Sequence, residues 1–247
     1  AEAMPRILHA AILALSLVAG CAAVRPDASS GFDALVADYE AFQLANNPVR
    51  AGRQGDLEAA RRWPDASPEA VEARRAAQAA FRARLQAVDP ATLDEQRQVS
   101  HAVLDHALRS AVELGAFEPE RIGFTNDSGF FSWPASLGLS TRPANVAEAE
   151  AWIARIEALP AYLDQHVAWL RRGLETGMVQ PAYVLPGVLA QIEQLAETPY
   201  SEHMMYAPFK ALPPQLPAAE RERLAAAGRA AIETHALPAY RDLANFF

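Results

Sequence analysis

Cysteine is nearly missing: the 247 residues contain one. That excludes an internal disulfide framework and any zinc site built from several thiolates. Positive charge is also short. The 22 Lys and Arg stand against 30 Asp and Glu, a net charge of −8 with no basic cluster, so no nucleic-acid partner is expected. There is no Gly-rich phosphate loop, no Gly-x-Ser-x-Gly elbow and no Ser-x-x-Lys helix start, which removes the usual serine-hydrolase signatures. His residues at i and i+4 with a Glu between them are also absent, and a metallopeptidase zinc helix requires that pair. Disorder is excluded in turn, because 51% of the residues are hydrophobic and 8% aromatic. The length suits one large domain or two small ones.

The first informative segment is the N-terminus. Met4 is followed by Arg6 and His9, then by an apolar run over residues 10–19 and by Gly20-Cys21. A run this short does not comfortably cross a bilayer, which takes about 20 apolar residues, but it suits the apolar region of a secretory signal. Val18-Ala19-Gly20-Cys21 resembles the lipobox of bacterial lipoproteins. That resemblance implies cleavage between Gly20 and Cys21 and lipidation of the Cys21 sulfur. Several acyl chains hold a protein durably, since each buried methylene contributes about 0.8 kcal/mol. The expectation is therefore a signal peptide over residues 1–20, a Pro- and Ser-containing tether over 21–31 and a helical domain over 32–247. Its membrane partner is engaged through the lipidated N-terminus. The location is the cell envelope, with the outer membrane facing the periplasm favoured over the inner membrane because Ala, not Asp, follows Cys21.

The rest of the chain has helical period throughout, and Ala, Leu, Glu, Arg and Gln dominate it. Residues 33–46 space Leu35, Val36, Tyr39, Phe42 and Gln43 on one face, and Asn47-Pro48 stops them. Ser67-Pro68 is an N-cap followed by a first-turn proline, and it opens a helix to about residue 88 with Val71, Ala80, Phe81, Leu85 and Val88 as core positions. Asp89-Pro90 predicts another helix over 91–114, with Gly115 as its C-cap. Residues 117–142 break the pattern with Gly123, Gly129, Pro134 and Gly138 among aromatic residues, and long irregular stretches are often functional. Asn145 with Glu148 forms a capping box opening a helix that runs to about 175, kinks near Ala158 because of Pro160 and stops at Gly177. Further helices start at Pro181 and Pro217, separated by a loop over 198–217, and Pro238 marks a break. The fold class is all-α.

Candidate chemistry is sparse. His101 and His106 lie five apart and diverge by about 140° around a helix. His101 with Asp105, and Arg109 with Glu113, share a face and read best as solvated polar pairs. His203-Met204-Met205 offers soft ligands of the Cu(I)-binding kind, but Met beside Tyr200, Tyr206 and Phe209 reads better as core filler. Asn126-Asp127-Ser128-Gly129 reads as a turn. Glu118/Glu120 and Glu148/Glu150 read as exposed carboxylate pairs. The segment with Asn126, Asp127, Phe130 and Trp133 is the candidate cleft loop, with rings that plug the bundle from outside as the alternative.

Several strings carry a wider resemblance. They are Trp152-Ile153-Ala154-Arg155-Ile156, Leu159-Pro160-Ala161-Tyr162-Leu163, Leu170-Arg171-Arg172-Gly173-Leu174-Glu175-Thr176-Gly177, Gln180-Pro181, Val188-Leu189-Ala190-Gln191-Ile192 and Tyr206-Ala207-Pro208-Phe209. Together they resemble the bacterial domain of unknown function 885 family, often lipoproteins and thought to be zinc-dependent and peptidase-like. The resemblance implies a zincin-like helical assembly. Members of that family are considerably longer, and their metal helix of His-Glu-x-x-x-x-His type lies in the C-terminal half. The expectation is thus an N-terminal helical portion that forms a cleft wall without the metal motif. No catalytic, cofactor-binding or metal residue is expected within it. Zinc and a peptide substrate belong to a full-length form. The alternative is a self-contained, non-catalytic helical binding or scaffold lipoprotein.

Overall fold

The structure, a computed structural model, describes residues 28–247. The signal segment with Gly20, and Cys21 at its end, lie outside the described residues. The helices in order are α1 (Ala28–Ala45), α2 (Pro48–Arg53), α3 (Leu57–Ala60), α4 (Pro68–Gln86), α5 (Glu95–Gly115), α6 (Trp133–Ser140), α7 (Val146–Glu157), α8 (Leu159–Thr176), α9 (Leu185–Glu197), α10 (Ala207–Lys210), α11 (Ala218–Ala231) and α12 (Leu237–Phe246). Among the described residues the only extended pairing is one antiparallel bridge between Phe124 and Gly129. The protein is all-α.

Local signals set most helix starts. The Ser67 hydroxyl accepts the Ala70 N–H, and Pro68 occupies the first turn of α4, where a missing N–H costs nothing. Asn145 Oδ1 accepts the Glu148 N–H at 2.9 Å, and Glu148 Oε2 accepts the N–H of Ala144, one residue before the cap, at 2.8 Å, a variant of the expected capping box. Gly177 ends α8 with φ 74, a left-handed cap that an L side chain adopts only with strain. Pro160 falls in the first turn of α8, so the long helix breaks at Ala158 as expected.

Four expectations shift. Helix begins at Ala28, four residues inside the span read as tether. Asn47-Pro48 ends α1 and also starts α2, because the Asn47 side chain accepts the Arg50 N–H. Asp89-Pro90 opens only a short 3₁₀ turn, and Asp94 caps α5 instead by accepting from Arg97 N. Pro238 does not break the chain. Residues Ile232–Ala236 form a π turn that joins α11 to α12.

Two cores result. Phe32 and Leu35 of α1, Leu85 of α4 and Leu104 and Leu108 of α5 enclose a small one with Leu93. Val71 is buried on α4, but the expected core residue Ala80 is exposed, one residue round the helix from half-buried Phe81. The large core gathers the inner faces of α6 to α9, α11 and α12. Long-range bonds lock it. Trp63 Nε1 donates to Arg155 O at 2.6 Å, Trp152 Nε1 to Met205 O at 3.0 Å, Trp169 Nε1 to Ala66 O at 2.8 Å and Tyr240 OH to Phe131 O at 3.0 Å.

Gly173 shows how close the packing is. A Cβ there would sit 2.7 Å from Met178 O and 3.0 Å from Arg121 O, both backbone atoms with little room to retreat. Gly173→Ala is expected to destabilise the protein by about 1–3 kcal/mol, the usual cost of overpacking. Urea unfolding of the two proteins measures this, and an unchanged midpoint would refute it.

Candidate functional site

The candidate cleft loop is built on the Phe124–Gly129 bridge. Thr125 N donates to Ser128 O at 2.8 Å, and the Thr125 hydroxyl bonds to Asp127 Oδ1 at 2.8 Å, so residues 125–128 form a turn one residue ahead of the expected 126–129. Asn126 and Asp127 are exposed at its tip. The rings behind it go inward: Phe124, Phe130 and Phe131 are buried. Phe130 therefore lines no open cleft. Its ring stacks on His166, centroids 4.6 Å apart, in the protein interior. Trp133 is half-exposed at the start of α6, which is helical because Pro134 falls in its first turn, and it packs edge-on against Trp63 at 5.6 Å. Asn126 instead lies against α9, where its backbone carbonyl accepts from Gln191 Nε2 at 3.2 Å. The four residues thus do not converge on one site.

Phe124, at the base of this loop, borders an apolar groove of about 490 Å³ between the 124 and 179–185 segments, α8 and the end of α12. Phe124, Leu170, Leu174, Val179, Phe246 and Phe247 line it, and Leu174 and Val179 are exposed. Gln180 closes one end by donating from Nε2 to Ile122 O at 3.2 Å and to Phe124 O. Phe247 meets the Phe124 ring edge-on at 5.4 Å. Sequence reading had not singled this groove out. Exposed Leu and Val on a helix and in a loop announce themselves only when the chain is folded.

The other sequence candidates resolve individually. Glu118 and Glu120 are not free surface acids. Glu118 pairs with Arg172 at 2.6 Å and Arg121 at 3.3 Å, and Glu120 pairs with Arg75 at 2.5 Å, tying α4 and α8 to the turn at Pro119. The hydrogen bonds from Arg172 hold the Glu118 carboxyl below the usual range. Glu150 pairs with Arg223 at 2.8 Å. His106 contacts Arg109 at 3.4 Å, and His101 reaches Leu85 O at 3.3 Å. Met205 is fully buried, and His203 Nδ1 accepts its N–H at 3.2 Å, so this pair is core as the sequence suggested.

Among the described residues no three His, Cys, Asp or Glu side chains gather as a metal ion requires. These residues do not fit the zinc that the family resemblance implies.

The fold and surface define an all-helical body with an apolar groove and a sealed aromatic core. The chain belongs to the family described as bacterial protein of unknown function (DUF885), whose profile matches residues 48–247 and so begins where α2 does. No curated protein matches the sequence.

Two imidazoles, buried His203 and half-buried His166, give this core a pH response. Burial pushes His166 and His203 down to about 4, well below the ordinary 6.5. Both rings are therefore neutral in the folded state. The stability this confers is complete above about pH 6.5 and is lost as pH falls toward 4, where the unfolded chain binds the extra protons. His166→Phe preserves the stack on Phe130 and removes one titration. Comparing urea unfolding near pH 7 and near pH 4.5, the variant is expected to lose about 2–3 kcal/mol less than the parent. Equal losses would show that His166 is not titrating in that window.

Proposed function

We propose that this chain is the N-terminal helical portion of a lipid-anchored cell-envelope protein of a peptidase-like kind. In that reading the assembly is zincin-like, and the helical body forms one wall of a peptide-binding cleft. The observation that carries it is the apolar groove, whose exposed Leu174 and Val179 sit beside the rings of Phe246 and Phe247. Surface of this kind is what a further layer of polypeptide or an extended peptide would cover. Zinc and the hydrolytic groups belong, in this reading, to another part of a full-length protein, as the family resemblance implies. The anchor is the lipid on Cys21, facing the periplasm from the outer membrane. The Val18-Ala19-Gly20-Cys21 string supports this part.

A second reading has its own support. The large core is continuous from α6 to α12 and is stapled by buried N–H and O–H donors. A module of this kind can stand alone as a non-catalytic binding or scaffold lipoprotein.

Two measurements test the first reading. Expressed from Met4 in a bacterium, the parent is expected in the membrane fraction with an acylated N-terminal cysteine, and Cys21→Ser is expected to lose both; a Cys21→Ser protein that still fractionates with membranes removes the lipid anchor. The purified soluble chain is expected to bind a hydrophobic dye through the groove, with Leu174→Glu reducing the signal severalfold, and to hold no stoichiometric zinc. Tightly held zinc or peptide turnover by this chain would overturn the division of labour.

A further inference from the structure

Away from the groove's lining residues, α2 and α3 face the end of α6 and the start of α7 across a pocket of about 470 Å³. That volume is within the usual size of a small-molecule site. Three arginines line it: Arg53, Arg142 and Arg155. Among the described residues none of the three has a carboxylate ion-pair partner; their recorded hydrogen bonds go to neutral groups. Arg53 Nη2 reaches Ser140 Oγ at 3.4 Å, and Arg142 Nη1 donates to Thr141 O at 2.7 Å. Arg155 Nη2 donates to Ala59 O at 2.9 Å and Pro48 O at 3.4 Å.

Arg155 is the unusual member. It is 6% exposed, so water cannot solvate it as it does a surface arginine. Its guanidinium lies over the Trp63 ring at 5.5 Å, and its Nε is buried with no hydrogen-bond partner. A buried cation ordinarily has a counter-charge, because carbonyl dipoles offset only part of the desolvation cost. Burial and the neighbouring Arg53 accordingly pull its pKa down to about 10. Glu148 is the one acid lining the pocket, and its two carboxylate oxygens are engaged by Ala144 N and Asn145 Nδ2 in the helix cap. The rest of the wall mixes polar Ser140, Thr141 and Asn145 with an apolar part made by Val49, Leu137 and Trp152. The pocket therefore holds three positive charges against one negative charge that is already engaged, next to an indole and aliphatic surface.

We propose that this pocket binds a small organic anion through an oxyanion head, carboxylate or phosphate, held by Arg53 and Arg142 against the field of Arg155, with its apolar body on Val49, Leu137 and Trp152. Planar guanidinium groups match the geometry of such heads and form charge-assisted hydrogen bonds with them. The site is separate from the apolar groove and does not depend on peptide hydrolysis or on the lipid anchor.

The test is calorimetric titration of the soluble chain at low ionic strength with three probes: hippurate, phenyl phosphate and the neutral hippuramide. Saturable binding of hippurate or phenyl phosphate is expected, and whichever binds more tightly identifies the head. Hippuramide is expected to bind at least about tenfold more weakly. Arg53 and Arg142 are exposed and unpaired by acids, so the double variant R53Q/R142Q is expected to keep the parent's melting temperature while its affinity falls by at least about tenfold. Arg155 is left in place because its bonds to Ala59 O and Pro48 O hold α2 and α3. Failure of both anions to saturate, equal binding of hippuramide, or undiminished affinity in a folded double variant would each overturn the proposal.

Discussion

The fold depends on the need to satisfy a handful of polar groups at the tips of large buried rings. Indole N–H and phenol O–H groups inside a protein are expensive to leave unbonded, about 1–3 kcal/mol each, and here those of Trp63, Trp152, Trp169 and Tyr240 find backbone carbonyls far away in sequence. Trp63 reaches α7, Trp169 reaches back to Ala66, Trp152 crosses to Met205 and Tyr240 of α12 ends on Phe131. The first two pin the irregular segment between α3 and α4 to the α7–α8 pair. The second two pin the 199–206 loop and the 124–133 segment to the helices behind them. Segments with little helix of their own are thus held by bonds that also fix which face of each helix points inward.

This explains what could be read from the sequence and what could not. Ser67-Pro68, Asn145 with Glu148, Gly177 and Pro160 were legible because each acts within one turn: the cap, its partner and the consequence are neighbours in the chain. The helical class followed from composition and period. The stretch over 117–142 was harder. Its glycines and prolines read as irregular, yet Pro134 is tolerated in the first turn of α6, and Gly138 lets that helix approach so closely that a Cβ would lie 2.4 Å from Met204 O. Local rules carry no information about such an approach between residues so far apart. The same limit hid the fate of the cleft residues. Phe130 and Trp133 are three apart, but one is stacked on His166 inside and the other is half outside on Trp63.

Arg155 entered the sequence reading only as part of the Trp152–Ile156 string, with no role attached to its charge. It sits three residues after Trp152 and four before Leu159, on the buried stripe of a helix where an apolar side chain is expected. A charge in such a position is a signal in itself, though its meaning depends on α2 and α3, about a hundred residues earlier. The family match from residue 48 onward takes in both ends of that contact. It leaves α1, which builds the small core with α4 and α5, ahead of the matched span.

The wide turn over Ile232–Ala236 has a consequence for register. From Leu224 to Tyr240 every fourth residue is buried, Leu224, Gly228, Ile232, Ala236 and Tyr240, with Ala231, Leu237 and Ala239 buried beside them. On a regular helix each such step slips by about 40°, so four steps would carry Tyr240 about 160° off the inner face. One extra residue accommodated in a turn returns about 100° of that slip. The carbonyls that Pro238 cannot serve are thereby reconciled with a stripe that stays pointed at the core. It follows that the number of residues between Gly228 and Tyr240 sets which face of α12 meets the core. A single-residue deletion there would swing the terminal aromatic pair away from Phe124 and dismantle one bank of the groove.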